Sequence, residues 1–294
     1  MRKIRIEYTT SQGASAHIEL DLDASIVDFR EKEIQSIDLS PLNTCSNLER
    51  LILAHNNISN LNLTPLSDLT SLEWLDLSHN NLHSIDFTQL GRQSPLTRIS
   101  LSYNPLEGID LEPLGEFSAL RTLRLTNTQL RNLDIGPLKT CKNLEQLSAA
   151  FNELTHLDLS SLARCSNLQI LSLNRNSLAK IDLKPLKSCH SLKTLNLSDN
   201  QLVRIDLSPL QSCTDLFSLI LGKNRLETAD LSPIGALKNL RGLDLSMNRL
   251  KTVDLTSLQY CSDMNEIKLY GNPLENLLKP DAPCSGLILE EPSK

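Results

Sequence analysis

The chain has 294 residues and a formal net charge of -6; 40% of its residues are hydrophobic, 22% are charged and only 3% are aromatic. The acidic balance argues against a nucleic-acid-binding surface, because such surfaces cluster Lys and Arg against phosphates. No segment approaches the roughly 20 apolar residues of a membrane span, and the N-terminus lacks the apolar run of a signal peptide, so we expect neither membrane insertion nor secretion.

The first predicted element is a β-hairpin at the N-terminus. Residues 4–8 and 18–22 alternate apolar with polar side chains on either side of a turn that contains Gly13. Alternation of this kind is typical of paired strands. We therefore assign residues 1–23 to an N-terminal capping hairpin.

A repeat of 24 residues follows and occupies residues 24–277. The frame LxLxxNxI that begins at Leu51 returns every 24 residues, without insertion or deletion, from Val27 to Ile267. The eleven units share the consensus LxxLxLxxNxLxxIDLxPLxxCxxL. Because the LxLxx alternation sends the leucines to one face and the intervening residues to the other, each unit is predicted to form one short strand, and the strands are predicted to stack in parallel.

The Asn that follows each strand is predicted to satisfy buried backbone groups and to form a ladder with the Asn of the next unit. The ladder positions are Asn56, Asn80, Asn104, Asn152, Asn176, Asn200, Asn224, Asn248 and Asn272. A Ser-Pro pair in the second half of the unit predicts the start of a short helix or 3₁₀ turn, since Ser caps free amides and Pro is favoured at the first helical position. We expect Leu42, Cys45 and Leu48, and their equivalents, to line its inward face.

This pattern resembles the leucine-rich repeat family over nearly the whole chain, from about residue 24 to residue 277. The resemblance implies an α/β solenoid, a right-handed superhelix with a parallel β-sheet on its concave face and short helical or 3₁₀ turns on its convex face. Residues 278–294 are left as a C-terminal cap and tail. Thr128 replaces a ladder Asn and Ala149 replaces a strand Leu, so local irregularity is expected at residues 125–152.

Two further positions of the repeat carry the same residue type in many units, so the equivalent side chains are expected to stack as columns. Seven cysteines is an odd number, and six fall at one repeat position: Cys45, Cys141, Cys165, Cys189, Cys213 and Cys261. We interpret these as small buried hydrophobes, which favours a reducing, cytoplasmic setting; disulfides along the column are the alternative.

An Asp also recurs just before most of the predicted helical turns, at Asp38, Asp86, Asp110, Asp134, Asp158, Asp182, Asp206, Asp230 and Asp254. A hard cation such as Ca²⁺ would relieve the repulsion between stacked carboxylates. Hydrogen bonds from nearby backbone and hydroxyl groups are the favoured interpretation, and we expect no metal and no cofactor. His55 and His79 share another column, but no further ligands are spaced to complete a zinc site.

The sequence contains none of the GxSxG, GxxxxGK[ST], HExxH or CxxC motifs, and we expect no enzyme activity. The family generally binds its partners on the outward face of the strands. Aromatic and Arg side chains dominate binding hot spots, whereas the positions from Thr194 to Ser246 on this face mostly carry small or polar groups. The candidate partner-binding residues are Trp74, Asp76, His79, Arg98, Tyr103, Arg124, Phe151 and Arg175.

The predicted function is that of a protein-protein interaction scaffold or regulator, monomeric, whose partner is another protein. A receptor for a glycan or peptide ligand and a purely structural repeat module are the alternatives. For the candidate residues, the competing interpretation is that they fill shallow surface between strands, or that Phe151 packs inward to compensate for Ala149.

Overall fold

The computed structural model describes residues 2–92, 94–280 and 288–290. The chain divides into two compact units, Met1–Leu144 and Glu145–Lys294. Most of the predicted C-terminal tail, residues 281–287 and 291–294, lies outside the described residues, and so does Cys284.

The first unit begins with the predicted hairpin. Strands β1 (Lys3–Thr10) and β2 (Ser15–Asp21) pair in antiparallel fashion, and the turn between them uses a left-handed glycine, Gly13. After β3 (Ile26–Asp28), strand β4 (Ile34–Ile37) pairs with the free edge of β1. The hairpin is therefore joined to the first repeat by backbone hydrogen bonds, which covers the end of the repeat array, as a cap must.

A parallel sheet carries the rest of this unit. It consists of β3, β5 (Arg50–Ile52), β6 (Trp74–Asp76), β7 (Arg98–Ser100) and β8 (Thr122–Arg124). Each residue pairs with the residue 24 positions along the chain. The central Val, Leu or Ile of each strand is at most 1% exposed, and its neighbours in the strand face outward, so the predicted alternation is confirmed.

The second unit repeats this arrangement with the same 24-residue register. Its strands are β9 (Gln146–Ser148), β10 (Ile170–Ser172), β11 (Thr194–Asn196), β12 (Ser218–Ile220), β13 (Gly242–Asp244), β14 (Thr252–Asp254), β15 (Glu266–Lys268), β16 (Asn276–Leu278) and β17 (Ile288–Glu290). Strands β14 and β16 form a separate parallel pair, while β17 pairs with β15. In this unit the second half of a repeat forms a strand at β14 and β16, near the C-terminal end of the described residues.

The predicted helical turns are all 3₁₀ helices within the described residues. In the first unit they span Ser40–Thr44, Thr64–Leu66, Phe87–Leu90, Glu112–Glu116 and Gly136–Thr140; in the second, Ser160–Arg164, Lys184–Ser188, Ser208–Ser212, Ser232–Ile234 and Thr256–Tyr260. No helix in this part of the chain has the length and apolarity to cross a membrane. Leu42, Cys45 and Leu48 are fully buried beneath the first helix, as expected.

The predicted role of Ser at the helix start is wrong. Ser40 is the first helical residue, and the capping position is held by Leu39, whose side chain makes no capping hydrogen bond. The carboxylate of Asp38 instead accepts a hydrogen bond from the Ser40 amide at 2.9 Å. An Asp two residues before that amide can reach it, because Asp side chains bond the backbone two residues on.

The Asn ladder is confirmed. Asn80 donates from Nδ2 to the carbonyls of Leu53 and Leu77 and accepts from the Ile58 amide at 3.0 Å, so one side chain links two successive turns. Where Thr128 replaces Asn, its buried hydroxyl donates to the Leu125 carbonyl at 2.9 Å. Strand β9 and helix Gly136–Thr140 have the ordinary lengths, so the irregularity expected at residues 125–152 is absent from these elements.

Candidate functional site

The residue directly before each ladder Asn has a left-handed backbone conformation. Its φ is between 53° and 59° at the ten positions that are not glycine, and 72° at Gly271. This turn lets the ladder Asn point inward while the preceding side chain points outward, next to the strand face. The non-glycine positions are Glu31, His55, His79, Tyr103, Asn127, Phe151, Arg175, Asp199, Lys223 and Met247. At two of them the next residue is not Asn: Glu31 precedes Lys32 and Asn127 precedes Thr128.

This left-handed column was not predicted from the sequence, although the sequence carries a signal for it. Left-handed backbone is a genuine outlier for β-branched residues. None of the column residues is Val, Ile or Thr, in a chain that uses these residues freely elsewhere.

In the first unit three side chains of this column form a continuous stack. The rings of His55 and His79 lie 4.1 Å apart between centroids, and so do those of His79 and Tyr103, each pair inclined by 12°. Burial, followed by the charge of His55, lowers the pKa of His79 from its ordinary 6.5, against a smaller opposing effect of Asp76. The His79 imidazole is therefore neutral at pH 7, which suits ring stacking better than a charged ring. No group of three or more His, Cys, Asp or Glu that could hold a metal is found in the described ranges.

A second row crosses the same face of the first unit, at the residue that precedes each buried strand leucine. Trp74 on β6 lies between Arg50 on β5 and Arg98 on β7, which are paired with it in register. The guanidinium carbons lie 5.5 Å and 5.7 Å from the centroid of the Trp ring. Cation–π attraction therefore holds both arginines over the aromatic ring. Arg50 was missed from the sequence, although it stands 24 residues before Trp74.

The other candidates of the first unit are placed as follows. Asp76 is half-buried and accepts hydrogen bonds from the amide and hydroxyl of Ser78, at 3.0 Å and 2.6 Å. Its carboxylate is thus oriented by its own strand. Arg124 is exposed at the end of β8. Trp74, His79, Arg98 and Tyr103 all share the strand face of this unit.

In the second unit the candidates Phe151 and Arg175 are also brought together. The Arg175 guanidinium carbon lies 4.6 Å from the centroid of the Phe151 ring, and its Nε lies 3.3 Å from Oδ2 of Asp199. Phe151 is 39% exposed while Ala149 is fully buried. The alternative in which Phe151 turns inward to replace a leucine is therefore wrong.

The strand face of the second unit is less uniformly small and polar than the sequence suggested. Met247 is 48% exposed and Tyr270 39%. Phe217, beside the strand β12, is also exposed, with the guanidinium carbon of Arg241 5.1 Å from its ring centroid. Of these, only Phe217 lies within the stretch from Thr194 to Ser246 that was predicted to carry mostly small or polar groups; Met247 and Tyr270 follow it.

The cysteine column consists of free thiols at its described positions, as the favoured interpretation held. Cys189 donates to the Leu162 carbonyl at 3.5 Å and Cys213 to the Leu186 carbonyl at 3.4 Å. Burial raises the pKa of Cys141 and Cys213 to about 11 and that of Cys189 to about 12. These thiols act as buried donors to the preceding turn, and none of these three is a thiolate at neutral pH.

The hydrogen-bonded interpretation of the Asp column is also confirmed. Every Asp of the column accepts a bond from the amide two residues later, at 2.8–2.9 Å. In several turns a Ser or Thr hydroxyl adds a second bond to the same oxygen, as in Thr256 to Asp254 at 2.6 Å. The carboxylates thus start the helices.

The fold and its repeat are those of a leucine-rich repeat protein. A model of the family described as leucine rich repeat matches residues 26–82, 118–178 and 166–226, more than half of the chain. The chain belongs to this family. Leucine-rich repeat proteins are generally non-enzymatic binding scaffolds, and the fold is that of a protein-interaction module.

Solved structures with the same fold include several bacterial proteins. An internalin, InlF, from Listeria monocytogenes is 22% identical with a TM-score of 0.69, over 93% of this chain and 88% of that one. A leucine-rich repeat protein of Leptospira interrogans is 22% identical with a TM-score of 0.63, over 92% and 84%. The functional domain of InlJ from L. monocytogenes, described as including a cysteine ladder, is 21% identical with a TM-score of 0.60.

The InlJ match covers 90% of this chain and 64% of the InlJ chain, so this chain spans about two thirds of that domain's length. Identities at this level establish the fold alone. No curated protein matches the sequence at a significant level.

Proposed function

We propose that this protein is a monomeric, non-catalytic scaffold that binds a partner protein through the outward face of its parallel strands. The observation that carries the proposal is the ordered cluster on the first unit. The cluster consists of the stack His55–His79–Tyr103 and the row Arg50–Trp74–Arg98.

The composition of this cluster supports binding of protein. Aromatic and Arg side chains are the residues most enriched among interface hot spots, and the chain as a whole is only 3% aromatic. The sole Trp, Tyr103 and two arginines lie together on one sheet face. This face is therefore richer in aromatic and Arg side chains than the chain as a whole.

The order of these side chains supports it as well. Immobilising a flexible side chain on binding costs about 0.5–1.5 kcal/mol. In the cluster, stacked rings and cation–π contacts already restrict the side chains before a partner arrives, and the strands below them are fixed by the backbone register. The face can therefore bind with little loss of conformational entropy.

The test is retention of a partner by two matched triple variants. In the first, Trp74, Tyr103 and Phe151 are replaced by Ala; in the second, the exposed Arg164, Lys187 and Tyr260 of the 3₁₀ helices are replaced. Proteins retained by the immobilised wild-type chain are identified by mass spectrometry and their affinities are measured. We expect the first variant to lose at least 10-fold in affinity and the second to stay within about 2-fold. Full affinity in a first variant whose thermal melt is unchanged would refute the proposal.

A reducing, cytoplasmic location is part of the same proposal. It is supported by the six cysteines of the column, all of which are buried, free thiols. The check is differential alkylation of the protein in its native cells, followed by mass spectrometry. Reduced thiols at Cys165, Cys189 and Cys213 are expected; a disulfide between any two of them would contradict the location.

A further inference from the structure

Two arginines on the strand face of the first unit make no ion pair with a described residue. On this strand face, Arg30 is held by Asp28 through a pair of hydrogen bonds, with Nη2 2.6 Å from Oδ2. In contrast, Arg50 and Arg98 have no carboxylate within ion-pair distance in the part of the chain that the structure describes. Both are exposed.

The contact that these two arginines do make leaves their hydrogen-bonding edges available. A guanidinium that stacks on an aromatic ring uses its flat face, whereas its N–H donors lie in the plane around the edge. Arg50 and Arg98 lie over Trp74 at 5.5 Å and 5.7 Å from the ring centroid. The ring therefore positions two sets of charged donors without consuming them.

The spacing of the two groups follows from the sheet. Arg50, Trp74 and Arg98 occupy equivalent positions on three consecutive parallel strands, and neighbouring strands lie about 4.8 Å apart. The two arginine backbones are thus roughly 10 Å apart. A segment that crosses the strands can place one carboxylate on each guanidinium, and Arg binds carboxylates in a bidentate geometry.

We infer that Arg50, Trp74 and Arg98 form a subsite for an acidic segment of the partner protein, with Asp or Glu side chains on the two guanidinium groups and the chain passing over the indole. This inference rests on the proposed function, because it specifies what the strand face binds. Charge complementarity carries it: two unneutralised cations meet carboxylates. A phosphate-rich polymer fits less well, since it carries more negative charge than two guanidinium groups neutralise, and Asp76 on the neighbouring outward row and the net charge of -6 repel that excess.

The experiment measures binding of a fluorescein-labelled octapeptide of alternating Glu and Gly by anisotropy, beside the same peptide with Gln in place of Glu. We expect the Glu peptide to bind at least 10-fold more tightly than the Gln peptide. The double variant Arg50→Gln, Arg98→Gln is expected to abolish this preference. The matched control Arg30→Gln, whose guanidinium is already paired with Asp28, is expected to change it by less than 2-fold.

Three outcomes would overturn the inference. The Glu and Gln peptides could bind equally, the double variant could retain the preference, or an eight-nucleotide single-stranded RNA could displace the Glu peptide at a lower concentration than unlabelled Glu peptide does. These outcomes do not depend on whether the triple Ala variant of Trp74, Tyr103 and Phe151 still retains the partner protein. If that variant still loses its partner while the peptides bind equally, the acidic subsite is wrong and the proposed function stands.

Discussion

Asn200 shows how a single polar side chain holds successive turns together. It donates to the carbonyls of Leu173, Leu197 and Ser198 at 3.0–3.2 Å and accepts from the Leu178 amide at 3.0 Å. The residue is buried, so water cannot replace these bonds.

Replacement of Asn200 by Leu should destabilise the protein by about 2–4 kcal/mol, because buried backbone groups left without partners cost about 1–3 kcal/mol each. Urea unfolding followed by circular dichroism measures this change. The control Asn174→Leu removes an outward-facing amide and should change stability by less than about 0.5 kcal/mol. Equal effects of the two substitutions would show that the ladder bonds contribute nothing.

Met247 tests the left-handed column. Its φ is 53° and its side chain is 48% exposed, so substitutions there change backbone strain more than burial. Met247→Val should destabilise the protein by about 1–3 kcal/mol, since a β-branched side chain is strained in this conformation. Met247→Asn should be neutral or slightly stabilising in the same urea titration, because Asn tolerates left-handed backbone. A Val variant as stable as the Asn variant would show that this position does not disfavour β-branched residues.

Residue-level geometry was only partly predictable from the sequence. An invariant 24-residue period stacks residue i on residue i + 24, so the neighbours Arg50, Trp74 and Arg98 follow from counting alone. What counting does not give is the rotamer that places each guanidinium over the ring. That choice depends on the exposed surroundings of the side chains, for which the repeat carries no pattern.

Among the elements, the 3₁₀ helices depend on the Asp that precedes them. Hydrogen bonds from the side chain and amide of the residue two positions later lower the pKa of Asp38, Asp86, Asp158, Asp206 and Asp254 below the ordinary 3.8. A carboxylate with a lowered folded pKa contributes stability that is present above its unfolded pKa and is lost as the pH falls through the folded value.

The thermal midpoint should therefore fall as the pH is lowered from about 4 towards 2. Replacement of these five residues by Asn keeps the acceptor oxygen and removes the titration, so the variant should lose less of its midpoint over the same interval. Differential scanning calorimetry at a series of pH values measures both slopes. Identical slopes for the wild type and the variant would mean that these carboxylates do not link protonation to folding.

At the level of elements, the strands were predictable and the helix starts were not. The LxLxx alternation places apolar residues on one face and the intervening residues on the other, and this pattern alone is sufficient to predict the strands. The Ser-Pro pair indicated the position of the helix correctly, but it was read as the cap because Ser is a common capping residue. In the structure Leu39 holds the N-cap position, but its side chain makes no capping hydrogen bond. The carboxylate of Asp38 caps the helix instead, because it reaches the free amide of Ser40 two residues later.

For the whole molecule, stability is a sum of nearest-neighbour contacts between repeats. Leu171 is fully buried at the centre of β10, between β9 and β11. Leu171→Asp buries an unpaired carboxylate, which costs several kcal/mol. We expect it to remove the single cooperative transition, leaving a broad or two-step calorimetric melt. A single melt at the temperature of the wild type would contradict this expectation.

The repeat fold was predictable at this scale because the period never varies. The repeat predicts which positions face outward, but it does not predict which of them contact a partner or what that partner is. Met247 and Tyr270, which follow the stretch predicted to be small and polar, occupy outward positions of the same repeat and are exposed.

The central claim is that a protein partner lies on the outward face of the strands. Hydrogen–deuterium exchange of the chain alone and in complex with its retained partner tests it most directly. The account predicts that protection on binding is concentrated in residues 50–55, 74–79 and 98–103, where the stack and the arginine row lie. Protection concentrated instead in the 3₁₀ helices, with exchange in these strand segments unchanged, would contradict it.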